Sequence, residues 1–213
     1  MTTLVNPPVR RVETMGRPAW THDDFMRLAP DDQKAELING DIIIMSPPFD
    51  EHEKLQGHLF FILKAFVTRF ALGQVRGSRT PVRVAPDQTY EPDILYVSKA
   101  REHIITRQEV SEAPDLVVEI LSGGTVKYDR GDKLTNYAKS GVSEVWLIDP
   151  FGPAGTQFFQ RQGDELVEVS AVDGILQSIA LQNFKLNTTW LWSDSGGDLP
   201  DPYVALKELG VTV

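Results

Sequence analysis

The 213-residue chain has an ordinary globular composition, with 41% hydrophobic and 24% charged residues, and a formal net charge of −9. Its length suits one domain of good size. No apolar stretch approaches the roughly 20 residues that span a bilayer, and residues 1–8 lack the apolar segment of a secretory signal. The absence of cysteine excludes a disulfide framework and a thiolate metal site. We therefore expect a soluble cytoplasmic protein.

The net charge argues mildly against a protein that coats nucleic acid, because phosphate binding usually needs a basic surface. The acidic excess is unevenly distributed, however. Residues 70–140 contain ten Lys/Arg and ten Asp/Glu, so the remainder carries eleven (21 − 10) against twenty (30 − 10). A divalent ion bound in the neutral segment would make that segment locally positive. The charge thus weakens a nucleic-acid hypothesis without removing it.

The N-terminal part of the chain is predicted to contain an arm, a short helix and a hairpin. Residues 1–19 are rich in Pro and Arg and are expected to form a flexible arm. A helix is predicted to begin after Thr21, with Asp24 as its capping-box partner. The Asn39-Gly40 pair predicts a hairpin turn that leads into an apolar strand.

The pattern that follows predicts an α/β domain. Apolar residues at spacings of three and four predict the longest helix over residues 50–71, with one apolar face. That face comprises Leu55, Leu59, Ile62, Leu63, Phe66 and Phe70. Strands are predicted over 74–76, 82–84, 93–97, 116–121, 144–149, 156–161, 166–170 and 175–179. A helix over residues 129–140 makes 116–149 a β-α-β unit, which is normally a parallel crossover. Residues 193–202 are predicted to be a linker to a short terminal helix.

Glu119 stands where a carboxylate is unexpected, inside the apolar run 116–121 (LVVEIL). Such a β-branched run predicts a strand buried on both faces. An unpaired charge there costs several kcal/mol, so something must compensate it. A bound cation is the simplest candidate, and a buried structural ion pair is the alternative.

Two aspartates that follow prolines compete as partners of Glu119. Asp115 lies four residues away on the same strand, about 13 Å at roughly 3.3 Å per residue. That is too far for one ion whose Mg–O distances are about 2.0–2.1 Å. Asp93 begins another strand and shares a face with Leu95 and Val97, so it can lie beside Glu119. A turn-capping role is the alternative for Asp93.

Lys133 is the candidate cation of the predicted helix 129–140. It borders a face that can pack on the sheet, and a long side chain there can reach the end of the strand. We therefore expect Lys133→Ala to cost little stability. Lys127 and Arg130 are competing cations. Two carboxylates on neighbouring strands plus a nearby lysine indicate a metal-dependent phosphodiesterase.

Several motifs together resemble a known family. They are residues 36–41 (ELINGD), 45–48 (MSPP) with His52, Pro92-Asp93, 114–122 (PDLVVEILS), 128–134 (YDRGDKL) with Tyr137, Gly141-Val142 and 145–150 (VWLIDP). In order and spacing they resemble the Uma-two-type family of restriction endonucleases, which belongs to the PD-(D/E)XK nuclease superfamily. The resemblance covers residues 20–192, beyond which 193–213 would be the linker and terminal helix. It departs at 122–125 (SGGT), where the family usually has Ser-Pro-Ser-Thr.

The resemblance implies a restriction-endonuclease-like α/β fold, with a mixed central sheet flanked by helices, that hydrolyses DNA phosphodiester bonds. Asp93, Glu119 and the Ile120 carbonyl would bind Mg²⁺, with Mn²⁺ as the alternative. The superfamily's usual lysine position is occupied by Leu121 here, so Lys133 on the following helix would replace it.

Glu36 and His52 match family positions that would face the same cleft. Glu36 would bind a second ion or position the first through water, while helix capping is the alternative for His52. Arg76, Arg79 and Arg83 are weaker candidates for phosphate contacts. The implied partner is DNA, and a homodimer is a candidate assembly. The rival hypothesis is a non-catalytic binding or assembly module with the same fold, which the acidic net charge favours.

Overall fold

The computed structural model describes residues 10–12 as backbone, together with residues 19–122, 128–193 and 197–211. The strands are β1 (Arg10–Val12), β2 (Ala35–Ile38), β3 (Asp41–Ile44), β4 (Gly73–Gly77), β5 (Val82–Ala85), β6 (Gln88–Tyr90), β7 (Ile94–Ser98), β8 (Leu116–Ile120), β9 (Glu144–Ile148), β10 (Gln157–Gln162), β11 (Glu165–Val169), β12 (Ile175–Gln177) and β13 (Lys185–Asn187). The α-helices are α1 (His22–Leu28), α2 (Asp50–Arg69), α3 (Leu134–Ser140) and α4 (Pro202–Glu208). A π-helical turn (Asp129–Lys133) leads into α3, and 3₁₀ turns cover Lys99–Ile104, Pro153–Gly155 and Thr188–Trp190.

A mixed six-stranded sheet, in the order β11-β10-β9-β8-β7-β4, forms the centre of the fold. The pairing of β8 with β9 is parallel and the others are antiparallel. The π-helical turn and α3 connect the two parallel strands, as the predicted β-α-β unit requires. The sheet and its helices are the mixed α/β, restriction-endonuclease-like architecture that the sequence predicted.

One face of this sheet packs against the long helix α2. Leu55, Leu59 and Ile62 of the helix are fully buried in one cluster with Val118 and Trp146 of the sheet. The regular spacing of apolar residues therefore identified the buried face correctly. The exception is Phe70, which lies just beyond the last helical residue and is 42% exposed.

A second, antiparallel sheet in the order β1-β3-β2-β6-β5 carries the predicted hairpin. Asn39 and Gly40 both have positive φ (51° and 77°), the conformation of a type I′ turn. The predicted capping box of α1 is also present. The Thr21 backbone amide donates to the Asp24 carboxylate, and the Thr21 side-chain oxygen accepts the Asp24 amide proton. The hairpin turn and the capping box could be predicted from the sequence because each depends only on residues close together in the chain.

Residues near both ends of the chain pack on the domain, including the short terminal helix that the sequence predicted. Residues 10–12, which we expected in a flexible arm, pair with residues 42–44 as strand β1. The terminal helix α4 packs on α2, with Phe61 and Tyr203 in edge contact at 5.8 Å between ring centroids. Its Leu206 belongs to the main core. Among the described residues, no helix is both long and apolar enough to cross a membrane.

Candidate active site

The pairing of β7 with β8 brings Asp93 and Glu119 together. Ile94 is opposite Val118 and Leu95 is opposite Val117, so the same register continued by one residue puts Asp93 opposite Glu119. Directly opposed residues in an antiparallel pair have Cβ atoms about 4.5–5.5 Å apart on one face. The Ile120 amide also donates to Asp93 Oδ2 at 2.8 Å, which fixes the aspartate against β8.

Glu119 is almost fully buried and depends on two side chains that follow it in sequence. Tyr137 donates its hydroxyl proton to Glu119 Oε1 at 2.7 Å, and Lys133 Nζ lies 3.2 Å from the same oxygen. Burial raises the pKa of Glu119 to about 8, while the Lys133 ammonium opposes this rise and the Asp129 carboxylate adds to it. Glu119 is therefore a poorly compensated carboxylate in the absence of a further cation.

Asp93 has the opposite electrostatic environment. Lys34 Nζ lies 2.8 Å from Asp93 Oδ1, and His52 Nε2 lies 3.1 Å from Oδ2. Burial alone would raise the pKa of Asp93, but Lys34 and His52 outweigh it and hold this pKa well below its ordinary range. Lys34 and His52 thus favour the charged form of the Asp93 carboxylate. The His52 ring contacts the site residue and does not cap α2, whose N-cap residue is Phe49.

Lys133 is buried, with 1% of its side chain exposed, and contacts three carboxylates. Its Nζ lies 2.8 Å from Glu36 Oε1, 3.0 Å from Asp129 Oδ1 and 3.2 Å from Glu119 Oε1. Burial alone would lower the pKa of Lys133, but these carboxylates raise it well above its ordinary value. The expectation that Lys133 borders the packed face of its helix is therefore wrong, and its burial predicts that the side chain contributes to stability. The π-helical turn, a conformation frequent at functional sites, directs the side chain inward.

Glu36 connects this lysine to the second sheet. It lies on β2, fully buried, and its Oε1 accepts the Glu91 amide proton at 3.1 Å. Its Oε2 has no hydrogen-bond partner in the described part of the chain. Burial, with a further contribution from Glu36, raises the pKa of Glu91 to about 7. Two buried glutamates are thus adjacent with an incomplete set of donors.

All the residues predicted for the site line one cleft of about 500 Å³. Its lining includes Glu36, His52, Asp93, Glu119, Ile120 and Lys133, together with Lys34, Arg79, Asp129 and Ser122. The rejected candidate Asp115 is elsewhere, accepting from the Ser98 amide at 2.7 Å. The Arg130 guanidinium is bonded to the Gly155 carbonyl. Lys127 and residues 123–125 lie outside the described residues.

Of the three weaker arginine candidates, one lines the cleft. Arg79 is in the lining and donates to the carbonyls of Pro30 and Asp31. The other two pair with neighbouring side chains instead. Arg76 donates to Gln74 at 3.2 Å and Arg83 donates to Glu109 at 3.1 Å.

Three charged residues of the site were missed in the sequence. Lys34 is two residues before Glu36, a spacing that puts both side chains on one face of an extended segment. Glu91 precedes Asp93 by two residues in the same way. Asp129 precedes Lys133 by four residues, which places the two on one side of a helical turn. These spacings were available signals, but charged residues at such spacings are common on solvated surfaces.

Five carboxylates, Glu36, Glu91, Asp93, Glu119 and Asp129, form what we call the acidic cluster. In the described part of the chain two lysines, Lys34 and Lys133, form ion pairs with the cluster, and the Arg79 guanidinium acts on Glu91. No three Asp, Glu, His or Cys side chains among the described residues are arranged to enclose an ion. Mg²⁺ does not require such a cage, because it is usually held by one or two carboxylates and completed by water and phosphate oxygens. Two neighbouring carboxylates in an acidic cluster with an unpartnered buried oxygen therefore fit a divalent cation.

Comparison with known proteins identifies the family. Residues 22–189 match the family model of Uma2, described as "putative restriction endonuclease". The chain belongs to the Uma2 family. Among solved structures it is similar to a protein from Anabaena variabilis ATCC 29413 described as "a putative nuclease belonging to DUF820", with a TM-score of 0.63 and 21% identity over 81% of this chain and 99% of that one. No curated protein matches the chain.

Membership of the Uma2 family supports a nuclease or hydrolase as the class of activity. Restriction-endonuclease-like proteins generally use divalent metals, and DNA is the substrate that the family description indicates. The structural similarity supports the fold alone at this level of identity. Individual roles within the cleft therefore depend on the geometry of this chain.

Proposed function

We propose that this Uma2 protein is a Mg²⁺-dependent endonuclease that hydrolyses phosphodiester bonds of DNA. The observation that carries the proposal is that the pairing of two adjacent strands, β7 and β8, leaves Asp93 and Glu119 in the lining of one cleft that also contains two lysines. The cleft is large enough for a phosphodiester group and its attacking water. Its acidic lining disfavours a bare phosphate unless a cation is bound between them.

In this proposal Asp93, Glu119 and the Ile120 carbonyl hold the ion. When bound, a divalent cation supplies Lewis-acid polarisation of the phosphodiester. Asp93 is suited to this task because its pKa is held well below the ordinary range. His52, at 3.1 Å from Asp93 Oδ2, and Lys133, at 3.2 Å from Glu119 Oε1, orient the two carboxylates.

The reaction forms one bond and breaks one. The oxygen of a water molecule attacks phosphorus and gives up a proton to a base, the bond from phosphorus to one ester oxygen breaks, and that leaving oxygen takes up a proton from solvent water to become a hydroxyl. Glu36 has an unpartnered Oε2 in the cleft lining and is the candidate to accept a hydrogen bond from that water. Cationic side chains at the cleft stabilise the charge that develops on the phosphoryl oxygens.

The experiment is cleavage of supercoiled plasmid DNA with Mg²⁺, Mn²⁺ or EDTA. Wild type should nick or linearise the plasmid only with metal. Asp93→Asn and Glu119→Gln should each lose activity by about 10²-fold or more, as expected when a group that acts on the transition state is removed. Glu165→Gln, an exposed glutamate of the same sheet, is the matched control and should remain active.

The non-catalytic binding module remains the second candidate because the net charge is −9. Failure of the wild type to cleave supercoiled, linear or single-stranded DNA with either metal would favour that candidate. The cytoplasmic location and the homodimer stay predictions from the sequence.

A further inference from the structure

The structure gives Lys133 too many carboxylate partners for a role at the substrate. An ammonium has three protons, and three carboxylate oxygens lie 2.8–3.2 Å from Lys133 Nζ. Only 1% of the side chain is exposed. Moving Lys133 toward a phosphate would leave Glu36, Asp129 and Glu119 buried without a counter-ion, which is strongly unfavourable.

Lys34 has the accessibility that Lys133 lacks. It lines the same cleft, 24% of its side chain is exposed, and within the described part of the chain it forms an ion pair with Asp93 Oδ1 at 2.8 Å. It immediately precedes β2, so its backbone is held by the Met45 amide, which donates to the Lys34 carbonyl at 2.8 Å. A four-carbon side chain on a fixed backbone can change its contact without moving the strand.

The position of Lys34 conflicts with the proposed role of Asp93. Asp93 Oδ2 already accepts the Ile120 amide proton at 2.8 Å and faces His52. Oδ1 is therefore the oxygen left for a cation, and Lys34 holds it. An ammonium and a divalent ion would repel each other at one oxygen, since like charges a few ångströms apart repel even at an effective dielectric constant of about 20.

We propose that Lys34 takes the place of the metal ion on Asp93 in the metal-free protein, and that ion binding releases its ammonium to contact the substrate phosphate. Lys34 would then be the lysine that acts at the substrate, the position for which Lys133 was the candidate in the sequence. Lys133 would instead position Glu119 and Glu36. This inference rests on the proposed nuclease function. The ammonium donates hydrogen bonds to a phosphoryl oxygen and transfers no proton.

The first test is calorimetric titration of Mn²⁺ into metal-free protein without DNA. Lys34→Met removes the competing charge and should tighten Mn²⁺ binding by about tenfold, whereas loss of a merely structural lysine would leave it unchanged or weaker. Lys34→Arg keeps the charge and should stay within about twofold of wild type. Lys99→Met, an exposed lysine that pairs with Glu102 at the other end of β7, is the matched control.

The second test is plasmid cleavage at saturating Mn²⁺. Lys34→Met should lose about 10²-fold in rate despite binding the ion more tightly, and Lys34→Arg should recover most of that loss. Thermal melts verify folding, and Lys34→Gln replaces the methionine variant if that variant does not fold. Unchanged Mn²⁺ affinity in the neutral variants, or unchanged cleavage, would overturn the inference.

The two proposals fail in different ways. If wild type binds Mn²⁺ and cleaves DNA, and Glu119→Gln abolishes both, the nuclease function stands whatever the Lys34 variants do. If the neutral Lys34 variants then behave as wild type, only the role of Lys34 is rejected. If wild type binds no Mn²⁺ at all, the nuclease proposal is rejected, and the release of Lys34 by an ion is rejected with it.

Discussion

Replacing Lys133 with methionine should destabilise the protein strongly, which is the reverse of what its helical position in the sequence suggested. Methionine keeps most of the side-chain volume and removes the charge, so the change isolates the ion pairs. Removing one partner of a buried charged group typically costs about 3–5 kcal/mol. Here the lost ammonium contacts three buried carboxylates, so we expect a cost in the upper part of that range.

This cost can be converted to a melting temperature. For a chain of this length, about 1 kcal/mol corresponds to roughly 2–4 °C, so a cost of about 4–5 kcal/mol means that Lys133→Met should melt roughly 8–20 °C below wild type. The assay is thermal and urea unfolding in EDTA at pH 8, because a bound cation would replace part of the missing charge. Lys139→Met, which changes an exposed lysine near the end of the same helix, is the control.

A double-mutant cycle separates lost charge from lost packing. If repulsion among the carboxylates causes the instability, Glu119→Gln should recover part of the loss in the Lys133→Met background but not in wild type. A Lys133→Met variant within about 0.5 kcal/mol of the Lys139→Met control, in the range of ordinary surface changes, would refute the reasoning. It would mean that the ammonium is not a net stabilising element of the acidic cluster.

Three further changes test other contacts. Tyr137→Phe should lower the free energy of unfolding by about 1–3 kcal/mol in urea titrations, since the buried Glu119 Oε1 loses its hydroxyl donor at 2.7 Å and keeps the Lys133 ammonium at 3.2 Å. Without metal, the melting temperature should fall as pH rises from about 5 to 8. Burial raises the folded-state pKa of Glu119 to about 8, so in this range the folded state binds more protons than the unfolded state. Glu119→Gln should flatten this dependence of melting temperature on pH. Gly40→Ala should destabilise the folded protein by about 1 kcal/mol or more, because φ is +77° and the new methyl group would clash with Ala19. In the control Gly57→Ala, in α2, the new methyl group has no close neighbour and should not destabilise the fold.

The parts of the fold that the sequence predicted depend on strong local patterns. The β-α-β unit, the long helix and the Asn39-Gly40 turn each have a periodicity or a turn signal within a short window. Strands β6 (Gln88–Tyr90) and β13 (Lys185–Asn187) were missed because they are three residues long and polar. Their pairing depends on partners elsewhere in the chain, which no local pattern encodes.

The part of the site that could be predicted is the position of its two strand carboxylates, because side chains alternate between the two faces of a strand. Asp93 and Glu119 each begin or interrupt an apolar strand, and alternation put both carboxylates on a face that could be shared. The burial of Lys133 was not predictable, because it depends on Glu36 approaching from the second sheet. Lys34 was missed for a similar reason: a charged residue just before a strand is normally solvated, and only the fold places it against Asp93.

The charge of the acidic cluster favours a cation-dependent function over a purely structural one. Its five carboxylates outnumber the nearby cations Lys34, Lys133 and Arg79, and burial raises the pKa of Glu119 to about 8 and that of Glu91 to about 7. A structural ion-pair network gains nothing from surplus buried carboxylates, since each one adds a desolvation cost without a matching attraction. A divalent ion bound by Asp93 and Glu119 would supply the missing positive charge. In the proposed function, the same ion would make the cleft less repulsive to a phosphate of DNA, which is how an acidic protein could accept this substrate.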